Sequence, residues 1–138
     1  MPIALFVIIL GAVLATSLIL VSGTQQTGVV QDVLGNRAYQ AARAGAEWGI
    51  HHVLRAGDAT CADIENGGAG RSFAPGALSG FIVTVNCTES SHNEAGVAST
   101  LFVIRATACN LLAGSCPAAA APSSTYVERQ LRVSVVSN

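Results

Sequence analysis

The chain has 138 residues, four cysteines, a net charge of −1, and 11% charged side chains against 51% hydrophobic ones. That length accommodates one small domain and one further element. The weak charge, with lysine absent altogether, excludes the electrostatic footprint of a nucleic-acid binder and the basic cluster that holds a protein to an anionic membrane surface.

Residues 3–22 read IALFVIILGAVLATSLILVS, with Thr16, Ser17 and Ser22 as the polar members. About 20 such residues in a helix match the hydrocarbon core of a bilayer. Pro2 suits the first turn, where no amide donor is needed. No charged side chain precedes Asp32, and the first arginine is Arg37. A secretory signal peptide opens with a positive segment, and a plain anchor takes its orientation from flanking Lys or Arg. The expectation is therefore a membrane-compatible helix whose basic leader has been removed ahead of Met1.

The helix is expected to continue. After a polar, small-residue stretch comes NRAYQAARAGAEWGIHHVLRAG, rich in alanine. Tyr39, Ala42, Ala46, Ile50 and Val53 recur at helical spacing and form one face. Ala38, Ala41, Gly45 and Gly49 form a second, small face that lets another element approach, at about 1 kcal/mol of helix propensity per glycine. Trp48 and Tyr39 are read as packing residues between helix and sheet, because aromatic rings dominate core burial. Gly57 is the expected stop. A continuous helix over residues 2–56 would measure about 80 Å.

Residues 57–80 are rich in glycine and read as a loop. Three strand-like runs follow. Phe81 to Cys87 places Phe81, Val83, Val85 and Cys87 on one face; Thr100 to Cys109 does so with Phe102, Ile104, Ala106 and Ala108. Tyr126 to Val136 alternates Val127, Leu131, Val133 and Val135, with Arg129 interrupting that face. The residues Thr-Glu-Ser-Ser-His-Asn after the first run read as loop chemistry. The expectation is an antiparallel meander whose apolar face is covered by the small face of the helix.

The cysteines stand at 61, 87, 109 and 116, without the C-x-x-C spacing of a zinc ribbon or redox motif. An even count in a small domain favours disulfides and an oxidising compartment. Cys109–Cys116 would close a short loop and Cys61–Cys87 would tie the loop after the helix to the first strand, each adding about 2–4 kcal/mol. Four cysteines allow three connectivities. His51, His52 and His92 lack metal-ligand spacing, Gly-Ser-Cys at 114–116 is no nucleophile elbow, and Asn86-Cys87-Thr88 matches a glycosylation pattern by chance. No enzyme and no cofactor are expected.

An apolar half-helix, an amphipathic second half and a cysteine-stapled antiparallel sheet together resemble a type IV pilin. The stretch Gly35-Asn36-Arg37-Ala38-Tyr39-Gln40-Ala41-Ala42-Arg43-Ala44-Gly45-Ala46-Glu47-Trp48-Gly49-Ile50 is similar to a segment of the MSHA-pilus biogenesis protein MshP family. So are Ala4-Leu5-Phe6-Val7-Ile8, Gly80-Phe81-Ile82-Val83-Thr84-Val85, Ala106-Thr107-Ala108-Cys109 and Tyr126-Val127-Glu128-Arg129-Gln130. The resemblance implies an α+β type IV pilin fold, with a long N-terminal helix on a small antiparallel sheet of three or more strands and two disulfides. Residues 1–24 would be the membrane and filament-core half-helix, 25–56 the amphipathic half, and 57–138 the globular β domain.

The resemblance also implies prepilin peptidase, which removes a class III leader and methylates the new terminus at Met1. The subunit would wait in the inner membrane with a periplasmic domain. The pilus assembly machinery would then extract it into an extracellular helical filament with copies of itself or other pilins, in the service of cell adhesion. Leu5, Phe6, Ile9, Leu10, Val13, Leu14, Leu18 and Leu20 would pack the filament core. Two departures stand out. Major pilins carry a glutamate at the fifth position, paired with a neighbour's terminal amine; Leu5 stands there, and a buried amine without a partner is costly. That favours a minor subunit over a major one. The usual proline near position 22 is replaced by Ser22 and Gly23, the expected helix break. The alternative is a single-pass envelope-anchored binding or sensing protein that does not polymerise.

Overall fold

The computed structural model describes residues 2–55, 60–94, 96–111, 114–119, 123 and 125–137, and the side chains of all these except 17–27, 63, 66 and 94. Helix α1 runs Pro2–Arg55 over 54 residues. It passes through Ser22 and Gly23, where a break was expected. One glycine costs about 1 kcal/mol locally, which does not by itself end a helix. His52 and Arg55 in the last turn complement the negative end of the helix. The chain divides into two compact units, Met1–Val33 and Leu34–Asn138.

Among the described side chains of the first unit the large apolar ones of α1 are exposed, Leu5 at 62% and Phe6 at 63%. Thr16 turns its hydroxyl back to the carbonyls of Ala12 and Val13, at 3.1 and 2.9 Å. A hydroxyl inside an apolar run is satisfied locally in this way.

The second unit packs a helix on a four-stranded antiparallel sheet. The strands are β1 (Arg71–Phe73), β2 (Ile82–Glu94), β3 (Val97–Cys109) and β4 (Glu128–Ser137), ordered β1-β2-β3-β4 as a meander. The three expected strands are present and β1 is added. The stretch 57–80, read as a loop, holds helix α2 (Ala62–Glu65), a 3-10 turn (Asn66–Gly68) and β1. Three residues are too few to display an alternation, and β1 exists by pairing Arg71, Ser72 and Phe73 with Val85, Thr84 and Val83. The polar residues 88–93, also read as loop, belong to β2 and pair with 98–103 of β3. A hairpin tip with both faces in water needs its backbone ladder, not an apolar face, to remain extended. Gly96, at φ 88°, lets the chain turn there, and its amide donates to Asn93 Oδ1 at 3.2 Å.

The core lies between α1 and one face of the sheet. Val83, Val85 and Cys87 stand opposite Ala108, Ala106 and Ile104, and all are buried against Ala38, Ala41, Ala42, Ala46 and Val53 of the helix. The small face makes the approach close. A Cβ at Gly45 would overlap Val83 Cγ1, and one at Gly49 would lie 2.8 Å from Ile104 Cγ2. Tyr39, expected in this interface, is instead 45% exposed. It sits at the edge of a stripe centred on Ala38, Ala42, Gly45 and Gly49, where the backbones come too near for a phenol ring. Trp48 and Ile50 are partly buried against the core, and Trp48 contacts Phe73 with ring centroids 5.2 Å apart.

Candidate functional site

Two groups of features carry the functional reading: the exposed apolar side chains of α1, and the stapled sheet. Ile9, Leu10, Val13 and Leu14 are exposed alongside Leu5 and Phe6. Met1 lies outside the described residues, as do the side chains of Leu18, Leu20 and Ser22. Among the described residues, no helix is long and apolar enough to cross a membrane.

The structure joins Cys61 to Cys87, with Cα atoms 5.3 Å apart, and Cys109 to Cys116, at 5.9 Å. The first bridge has a reciprocal polar clasp. Glu65 Oε1 accepts the Cys87 amide at 2.8 Å, and Glu89 Oε2 accepts the Cys61 amide at 2.9 Å. Cys61 in turn offers its carbonyl to the amides of Ile64 and Glu65, which starts α2. β1 reaches β2 only as far as Val85. Beyond it the outward-pointing amide of Cys87 would have no strand partner, and the Glu65 carboxylate takes that place.

The second bridge holds Cys116 over the opposite face of the sheet, where Ile82, Cys109 and Cys116 are buried with Leu111 and Tyr126 packed alongside. Thr84, buried beneath, accepts the Cys116 amide at 2.7 Å and shares a hydrogen bond with Ser72 at 2.9 Å. Asn110 holds the entry to β4 with both ends of its amide: Oδ1 accepts the Val127 amide at 2.8 Å, and Nδ2 donates to the Thr125 carbonyl at 2.8 Å. The Tyr126 hydroxyl accepts from the Ala118 amide at 3.3 Å and donates to Glu128. Burial, with help from the Glu128 carboxylate, raises the Tyr126 pKa above its ordinary value. Among the described residues no buried side-chain nitrogen or oxygen lacks a partner.

Arg129, which interrupted the apolar face in sequence, has a packing role. It stands opposite Ala108, and its guanidinium lies over Gly35, where a Cβ would come within 3.2 Å of Nη2. The histidines serve separate local contacts. His51 meets Arg55 at 3.2 Å, His52 stacks on Trp48 at 4.8 Å, and His92 meets Ser90 at 3.3 Å. Among the described residues no three His, Cys, Asp or Glu side chains converge as metal ligands would.

The roles of Glu65, Glu89, Asn110 and Tyr126 were not foreseen. Glu89 could have been: it lies two residues after Cys87, so strand alternation puts it on the cysteine's own face. No protein-family model matches the chain, and no curated protein or solved structure matches it.

Proposed function

We propose that the chain is a structural subunit, a minor or a major pilin, of a type IV pilus-like filament, assembled by bundling of its N-terminal helix after prepilin processing. The finer placement, in the MSHA-associated MshP-like group, rests on the motif resemblance alone. The observation that carries the reading is the division of one helix into two burial regimes. Ala38, Ala41, Ala42, Ala46 and Val53 are buried under a disulfide-stapled sheet, while Leu5, Phe6, Ile9 and Leu10 are exposed. Exposed apolar area costs about 25 cal/mol per Å2 in water, so these side chains need cover. Lipid supplies it before assembly and neighbouring helices supply it afterwards. Oxidised cysteines fit an envelope or surface location. Leu5 fits a subunit that does not rely on a carboxylate inside the bundle, as a minor pilin would not.

The test is an exchange. Residues 3–22 are replaced by an unrelated apolar span of equal length, and sheared surface filaments are probed for the chain. Loss of the chain from filaments, with its level in the inner membrane unchanged, is the expected result. Function retained with the foreign span, and no wild-type chain in filaments, would instead establish the non-polymerising envelope protein.

A further inference from the structure

The sheet face turned away from α1 carries a cationic row that the net charge conceals. Asn86, Arg105 and Arg132 stand directly opposite one another on β2, β3 and β4. Strand alternation places them on the other face from Val85, Ala106 and Leu131, which pack toward the helix. Both arginines are exposed, and neither has a hydrogen bond or ion pair among the described residues.

Like charges directly opposite on antiparallel strands, about 5 Å apart at Cβ, destabilise the pair. Nothing nearby relieves it. The adjoining positions are Thr88, Val103 and Ser134 on one side and Thr84, Thr107 and Gln130 on the other. Along β4 the carboxylate on this face is Glu128, four residues or about 13 Å from Arg132, and it already accepts the Tyr126 hydroxyl. Two unpaired guanidinium forks side by side suit an oxyanion with two or more oxygens. The hydroxyl and amide groups of Thr88, Ser134 and Asn86 can both donate and accept, as sugar hydroxyls require, while Gln130 donates to the Thr107 hydroxyl at 3.0 Å. No aromatic ring lies in these rows to stack a nucleobase.

We infer that the Arg105–Arg132 row binds an acidic polysaccharide, its sulfate or carboxylate groups bridging the two guanidiniums and its hydroxyls meeting the flanking amides and hydroxyls. The disulfide loop over Thr84 bounds the site at one end. The site does not depend on filament assembly.

The full chain in non-ionic detergent is titrated with dextran sulfate, neutral dextran and polyphosphate. Dextran sulfate should bind, neutral dextran should not, and polyphosphate should bind at least about tenfold more weakly, since it lacks the hydroxyls. R105Q/R132Q should weaken dextran sulfate binding about tenfold or more. R43Q, which removes an exposed arginine paired with Glu47 on α1, should leave it unchanged. The thermal midpoint of R105Q/R132Q should stay level or rise, because a repulsion is removed. A lowered midpoint would assign the arginines a structural role and overturn the inference. So would polyphosphate binding equal to that of dextran sulfate, or undiminished binding by R105Q/R132Q.

Discussion

The two parts of α1 share one backbone conformation and have opposite side-chain fates. From Ala38 to Val53 the residues that disappear into the core are alanine, glycine and valine; from Ile3 to Leu14 the leucines, isoleucines and phenylalanine remain exposed. Residue hydrophobicity alone therefore does not decide burial along α1. Size does: small side chains let the helix backbone reach the sheet, and dispersion contacts with Val83, Val85 and Ile104 follow from that approach. Large side chains suit a partner that interdigitates with them, another helix or lipid.

The comparison is best broken at the staple. C61S/C87S frees cysteines 26 apart in sequence, and chain entropy sets the expected loss at about 3.5 kcal/mol. Urea midpoints of the full chain in non-ionic detergent measure it. C109S/C116S, with a separation of 7, should lose about 2.5 kcal/mol. A larger loss from the short loop would show that covering the outer face matters more than closing the long loop.

Gly45→Leu should cost about 3 kcal/mol, because its side chain enters the space of Val83, Val85 and Ala106. A neutral result would mean that helix and sheet are not held as close as the geometry requires. Arg129→Ala should cost about 1 kcal/mol through lost cover over Gly35, whereas Arg129→Met, which keeps an unbranched chain there, should recover part of it.

Alkaline pH gives a finer test. The raised Tyr126 pKa means that the folded state holds this proton more tightly than the unfolded one. Stability is then full below the ordinary tyrosine value of 10.0 and declines as pH rises from there through the folded pKa. Tyr126→Phe should flatten that decline. The smallest effect on folding is expected from L5S/F6S, within about 0.5 kcal/mol, because both side chains are exposed. Their effect should fall on assembly instead.

The helix end near residue 55, the small face and the three longer strands were legible because each expresses a periodicity that a core enforces. The tip of the β2–β3 hairpin was not, since Thr88 to Asn93 are held by pairing with β3 and bury no apolar face. β1 was hidden in glycine-rich sequence because its pairing with β2, not its composition, makes it a strand. Tyr39 misled because helical spacing identifies a face but not how near a neighbour comes to it. Ser22 and Gly23 misled because the cost of one glycine, about 1 kcal/mol, does not by itself end a helix. The Arg105–Arg132 row could not be read at all: two arginines 27 positions apart share a row only through the register of β3 and β4.

The central claim is that the exposed half of α1 is an assembly element. Mass spectrometry of sheared, purified surface filaments tests it most directly. The account predicts this chain among the filament proteins, with an N-terminal peptide beginning at an N-methylated Met1. A chain found only in the inner membrane, with an unmodified terminus and absent from every filament, would contradict it.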